Sequence, residues 1–133
     1  MPPLLSTLIL DDRLRMRRVL AALALSALII AIGSIPGARA EVALLASGLV
    51  LHSVAYSCVT FLMFTGCEGS RLGRATKAVL TVLVIGAIDE FVQSFLPYRH
   101  AAVSDWLVDG AAAIVTAGLL WALLPDPVHD VPA

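Results

Sequence analysis

Apolar residues of this chain are gathered in four long runs, separated by short stretches that carry Gly, Pro or charge. A membrane-spanning helix needs about 20 mostly apolar residues, with roughly 17–25 tolerated. The runs therefore predict four spanning helices, and they cover residues 19–35, 42–64, 78–95 and 103–124. The apolar opening before Asp11 is too short to cross a bilayer and is typical of a segment at the membrane interface.

The composition supports a membrane protein of one domain. Of 133 residues, 59% are hydrophobic and 14% are charged, whereas about a quarter of an average soluble domain is charged. The mean hydropathy is +0.93. We therefore expect an all-α fold, an integral membrane four-helix transmembrane bundle. A net charge of −1 argues against a nucleic-acid partner, and Cys58 and Cys67 show no metal-ligand spacing.

Lysine and arginine positions predict the orientation of the bundle. The first 18 residues hold Arg13, Arg15, Arg17 and Arg18, and the loop after the second span holds Arg71, Arg74 and Lys77. The other two loops hold only Arg39 and Arg99. We therefore expect residues 1–18 to be a cytoplasmic or interfacial segment, residues 19–124 to be the transmembrane domain, and residues 125–133 to be a cytoplasmic tail.

One alternative would change the number of spans. Basic residues, an apolar run and then Ala38-Arg39-Ala40 are similar to a signal peptide with its cleavage site. Cleavage there would leave three spans and an external N-terminus. Arginine at the middle position, and the apolar residues that precede the basic cluster, favour a retained first span.

Charged residues lie inside the third apolar run. Asp89 and Glu90 each cost about 2.5–3.5 kcal/mol at the centre of a spanning helix, and such residues normally face the bundle interior and serve function. Gln93 is three residues after Glu90 and four after Asp89, so the three side chains share a broad helix face.

Two further pairs at helical spacing converge on the same half of the bilayer. Asp105 and Asp109 share a face of the fourth helix, and His52 and Tyr56 share a face of the second. With Arg99 in the outer loop above them, these groups predict a polar pocket in the outer leaflet. The candidate pocket comprises His52, Tyr56, Glu90, Gln93, Arg99, Asp105 and Asp109.

Each candidate also has a purely structural interpretation. Asp105 suits an N-cap, since carboxylates favour helix starts. Arg99 suits an interfacial anchor or an ion pair with Asp109, and Glu90 suits interhelical pairing with a basic side chain. Asp89 is expected to face outward or to be protonated. No catalytic residue is assigned.

Part of the chain resembles the VanZ-like family. That family's pattern runs E-x-x-Q, then P-G-R, then Asp six residues after the Arg and Asn four residues beyond. The corresponding residues here are Glu90, Gln93, Pro97, Arg99 and Asp105. Upstream, the segment His52-Ser53-Val54-Ala55-Tyr56 is similar to the family's H-x-x-A-Y, so the resemblance extends from His52 to Thr116.

The chain departs from the family pattern at four positions. Tyr98 replaces the usual Gly, Asp109 replaces Asn, Leu49 replaces a frequent Lys and Ala112 replaces a frequent Gly. The resemblance implies a small multi-pass protein of the bacterial cytoplasmic membrane. The family's named member is linked to teicoplanin resistance.

Three functions remain open from the residues. The first is a non-enzymatic envelope protein, without a cofactor, whose pocket binds membrane lipids, a lipid-linked cell-wall precursor or a lipoglycopeptide. The second is an intramembrane enzyme in which His52, Glu90, Asp105 and Asp109 hold a divalent cation that acts on a phosphoryl or acyl group. The third is a proton-coupled carrier. The oligomeric state is not indicated.

Overall fold

The computed structural model describes residues 9–100 and 102–126, and within these ranges no residue lies in a β-strand. A 3-10 turn at Asp12–Leu14 precedes five helices. They are α1 (Arg15–Gly33), α2 (Ala38–Ala43), α3 (Gly48–Gly66), α4 (Arg71–Ser94) and α5 (Val103–Leu123). The predicted all-α class is confirmed. Parts of the predicted N-terminal segment and tail, residues 1–8 and 127–133, lie outside the described residues.

Three stretches of the described chain are helical, long and apolar enough to cross a membrane. They are Asp12–Gly33, which joins the 3-10 turn to α1, together with α3 and α5. The third predicted span, residues 78–95, is not among them, although α4 has 24 residues. Its charged residues set it apart, and they are Arg71, Arg74, Lys77, Asp89 and Glu90.

The connection between α1 and α3 is more structured than the predicted short loop. Gly37 has a φ of 80°, a left-handed conformation that glycine adopts without steric cost, and the short helix α2 follows it. Helix α3 then begins at Gly48 rather than at residue 42, because Ser47 caps it by accepting the N–H of Val50 at 3.4 Å. The predicted second span is therefore interrupted near its start.

Helix α4 begins earlier than its apolar run and ends where proline predicts. The Ser70 hydroxyl accepts the N–H of Gly73 at 3.1 Å, so the helix starts at Arg71 rather than near residue 78. It ends at Ser94, shortly before Pro97. The added turns carry Arg74, which is buried with its guanidinium carbon 4.9 Å from the centre of the Phe64 ring. Arg74 is thus part of the packed structure and not of a loop.

Helix α3 is central to the packing, since it contacts α1, α4 and α5, and α4 also contacts α5. Glycines let α4 and α5 approach closely. A Cβ atom on Gly86 would lie 3.0 Å from Cδ1 of Trp106, and one on Gly110 would lie 3.0 Å from Cδ2 of Leu83. Small residues at helix crossings are typical of membrane proteins, because close backbone approach replaces the hydrophobic driving force that lipid does not provide.

Burial in this protein is partly inverted relative to a water-soluble domain. The buried residues include Ser26, Thr60, Asp89, Gln93 and Asp109, whereas large apolar side chains are exposed along every long helix. Soluble monomers rarely expose such extensive apolar surface. The distribution fits a surface that faces lipid and an interior that satisfies polar groups internally.

We predict that Gly66→Ala destabilises the protein by about 1–3 kcal/mol through overpacking. A Cβ atom at Gly66 would lie 2.8 Å from Cγ2 of Val19 and 3.1 Å from the backbone oxygen of Arg15, so α1 and α3 would have to separate. The control is Gly118→Ala, where no atom lies within 4 Å of the added carbon. Thermal unfolding in detergent should show a lower Tm for the first variant only. Equal Tm values would contradict the close approach of α1 and α3.

Candidate functional site

A hydrogen bond between two side chains joins α3 to α5 inside the structure. Nδ1 of His52 lies 2.9 Å from Oδ1 of Asp109. Only 2% of the Asp109 side chain is exposed, against 18% for His52. Asp109 thus lies on an inward face of the last helix, and the side chain that it contacts is His52. An ion pair of Asp109 with Arg99, the structural alternative, is not formed.

A second polar chain connects α4 to the loop that follows it. Nε2 of Gln93 donates to Oδ1 of Asp89 at 2.7 Å, and the guanidinium of Arg99 donates to Oε1 of Gln93. Asp89 is only 2% exposed, so the expectation that it faces outward is wrong. Gly33 of α1 lies beside this pair, since a Cβ there would lie 3.3 Å from Nε2 of Gln93 and 4.0 Å from Oδ1 of Asp89.

Glu90 and Asp105 hold the outer parts of the site together. Oε2 of Glu90 accepts the N–H of Ala102 at 2.7 Å, which ties the end of α4 to the start of α5. Asp105 lies in the first turn of α5 and its Oδ2 is 3.4 Å from Nη2 of Arg39. Ala102 occupies the N-cap position, and no side chain caps the helix there. The predicted capping role of Asp105 is therefore not observed.

These polar groups border a cavity of about 330 Å³. Of the seven predicted pocket residues, four line it, whereas Glu90, Asp105 and Asp109 do not. Asp109 still contacts the lining through His52. The lining residues are Ile29, Ile32, Gly33, Arg39, Val42, Ala43, Gly48, Leu51, His52, Ala55, Tyr56, Asp89, Gln93 and Arg99.

Two charged lining residues were outside the predicted pocket. Asp89 shares its face with Gln93 by the four-residue spacing, so the sequence carried a signal for it. Arg39 carried none, because nothing in the spacing of a loop arginine indicates which helix it approaches. Only the turn at Gly37 and the short helix α2 bring it beside Asp105.

Tyr56 has an unusual environment within this cavity. The side chain is fully buried and its ring is stacked on that of His52, with centroids 6.1 Å apart. Its hydroxyl makes no hydrogen bond to any described residue. A buried unpaired hydroxyl costs roughly 1–3 kcal/mol, so this one is an exception among buried polar groups.

The donor set does not favour a metal centre. Within residues 9–100 and 102–126, no group of three or more His, Cys, Asp or Glu side chains is arranged to hold a metal ion. Of the four residues predicted to share a cation, only His52 and Asp109 contact each other, and the other two bind different protein groups. His52 contacts Asp109, Glu90 contacts the backbone of Ala102, and Asp105 contacts Arg39.

Comparisons with known proteins identify no relative. No family model matches the chain, and neither a curated protein nor a solved structure is significantly similar to it.

We predict that His52 and Asp109 stabilise the fold as a pair. His52→Ala and Asp109→Ala should each lower the free energy of unfolding, because each leaves a desolvated polar partner. The double variant should lose less free energy of unfolding than the two single variants lose together. The difference, which is the coupling energy of the pair, should be about 1–3 kcal/mol. Thermal or denaturant unfolding of the four proteins in detergent measures this coupling. Strict additivity would show that the two side chains do not interact in the membrane.

Proposed function

We propose that the chain is a four-span protein of the bacterial cytoplasmic membrane with both termini in the cytoplasm. Three apolar helices support a membrane location, and α4 packs against two of them. Arginines at the start of α1 and at the start of α4 lie at one end of the helices, as the positive-inside tendency requires of a cytoplasmic end. The cavity and its arginines then lie in the outer half of the bilayer.

Cysteine labelling tests this topology. In a variant with Cys58 and Cys67 replaced by serine, we expect His100→Cys to react with a membrane-impermeant maleimide in intact cells. Glu68→Cys, in the α3–α4 loop, should react only after the membrane is permeabilised. Both positions are exposed in the folded chain, so a difference in reactivity reports the side of the membrane. Labelling of both in intact cells would contradict a four-span topology.

We further propose that the protein binds a membrane amphiphile in this cavity and does not act as an enzyme. The supporting observation is the two-sided lining. Ile29, Ile32 and Leu51 supply an apolar wall, and His52 and Arg99 belong to a polar one. Ligand sites combine a largely apolar surface with a few placed polar groups. An amphiphile satisfies both walls, since its chain contacts the first and its headgroup contacts the second.

The class of amphiphile includes membrane lipids, lipid-linked cell-wall precursors and the lipid-bearing part of a lipoglycopeptide. The resemblance of residues 52–116 to the VanZ-like family motivates the last two ligands and a link to antibiotic resistance. Metal-assisted catalysis has less support, because Glu90 and Asp105 are bound to Ala102 and Arg39, and only His52 and Asp109 contact each other. A proton-coupled carrier gains no specific support from the cavity.

Filling the apolar wall tests amphiphile binding. We expect wild-type protein released in mild detergent to retain an amphiphile that native mass spectrometry detects as an added mass. Ala55→Phe places a ring in the cavity and should abolish the adduct. Ala87→Phe, on the exposed surface of α4, is the matched control and should keep it. An adduct of equal occupancy in Ala55→Phe, or no adduct in any variant, would contradict the proposal.

A further inference from the structure

We propose that the cavity binds the phosphate group of an anionic amphiphile, and that Tyr56, Arg99 and Arg39 hold it. This inference rests on the proposed function and names the class of its ligand. A neutral sugar and a cationic amine are the competing headgroups. Some hydrogen-bonding groups of the lining are already engaged within the protein, and others have no partner among the described residues.

The carboxylates near the cavity are engaged by the protein itself. The carboxylate of Asp109 forms a hydrogen bond with the imidazole of His52. The carboxylate of Asp89 accepts a hydrogen bond from the amide of Gln93. Glu90 is directed to the backbone N–H of Ala102, and Asp105 lies beside Arg39. Of these four carboxylates only Asp89 lines the cavity, whereas two arginines, Arg39 and Arg99, line it. The charged groups of the lining are therefore more basic than acidic.

The groups left open are donors. Tyr56 is fully buried and its hydroxyl has no partner, and Nε of Arg99 is also buried without a partner among the described residues. Both side chains line the cavity. An Nε–H group can only donate, and a phenol donates more readily than it accepts when it faces an anion. Among the described residues neither donor has an acceptor, and a ligand in the adjoining cavity could supply one.

The charged side chains of the cavity lining favour an anionic ligand. Arg99 is half-buried, yet it contacts the amide oxygen of Gln93 and forms no ion pair with any described carboxylate. Arg39 has only the long, exposed contact of 3.4 Å to Asp105. A guanidinium that is removed from water needs a negative partner, and its planar fork suits the oxygens of phosphate. The lining provides two cations, the half-buried Arg99 and the exposed Arg39.

The number of donors favours phosphate over a smaller anion. Tyr56 belongs to α3, Arg39 to α2, and Arg99 to the loop between α4 and α5. Donors that approach from three elements match a tetrahedral group with several oxygens better than a planar carboxylate. A neutral sugar headgroup would leave the guanidinium of Arg99 without a negative partner.

Calorimetric titration of the purified full-length chain in a neutral detergent tests the inference with four probes. Dihexanoyl phosphatidic acid supplies chains and phosphate, and dihexanoylglycerol supplies the same chains without phosphate. Octyl glucoside supplies a neutral sugar headgroup, and inorganic phosphate supplies the anion alone. We expect phosphatidic acid to bind at least about tenfold more tightly than every other probe, since a charged hydrogen bond contributes about 1.5–3 kcal/mol.

Two variants identify the groups responsible. Arg99→Gln should weaken phosphatidic acid binding about tenfold or more. Tyr56→Phe should weaken it about three- to tenfold and should also raise the Tm of the ligand-free protein, because it removes an unpaired buried hydroxyl. A merely structural tyrosine would not show these opposite effects. The controls are Arg17→Gln, an exposed arginine, and Tyr98→Phe, whose hydroxyl donates to the Ser34 carbonyl outside the cavity.

The outcomes separate this inference from the proposed function. Equal binding of dihexanoylglycerol or octyl glucoside, unchanged in Arg99→Gln, would overturn the phosphate site and leave amphiphile binding intact. Inorganic phosphate binding as tightly as phosphatidic acid would support the anion site and contradict the use of the apolar wall. Binding of none of the four probes by the folded protein would overturn the phosphate inference.

Discussion

The hydrogen bond between His52 and Asp109 joins α3 and α5 within a protein whose outer surface is largely apolar. A buried carboxylate is costly unless another group compensates it, and breaking such a pair costs several kcal/mol. The two side chains form this hydrogen bond only when α3 and α5 pack in one axial register and one relative rotation. That requirement decides which faces of α3 and α5 turn to lipid. It also places Tyr56, one helical turn from His52, against the interior.

The cavity follows from this constraint together with the Asp89–Gln93–Arg99 chain. The first contact holds α5 against α3, and the second draws the loop after α4 over the end of the helices. Helix α1 completes the enclosure without filling it, because Gly33 presents no side chain toward Gln93. The polar network therefore supports the fold and at the same time leaves two donors of the lining without a partner among the described residues.

Spacing along the helices predicted much of the site but not its pairings. His52 with Tyr56 and Asp89 with Gln93 lie on shared faces because residues four apart are neighbours on any α-helix. Which of two adjacent carboxylates turns inward depends on the neighbouring helix. Asp89 points to the glycine of α1, and Glu90 points to the backbone of the next helix. The position of Arg39 and the late start of α3, at Gly48, depend on a turn that the apolar run conceals.

The sequence by itself determined the helical class, the membrane character and most of the polar residues that converge, because hydropathy and helical period are local properties. Tertiary structure alone decided that Asp109 pairs with His52, that Arg39 joins the lining, and that the hydroxyl of Tyr56 remains without a partner. These outcomes depend on the relative rotation and closeness of helices distant in the chain. Glycines and cap residues set that closeness, and their effect appears only when the helices are packed together.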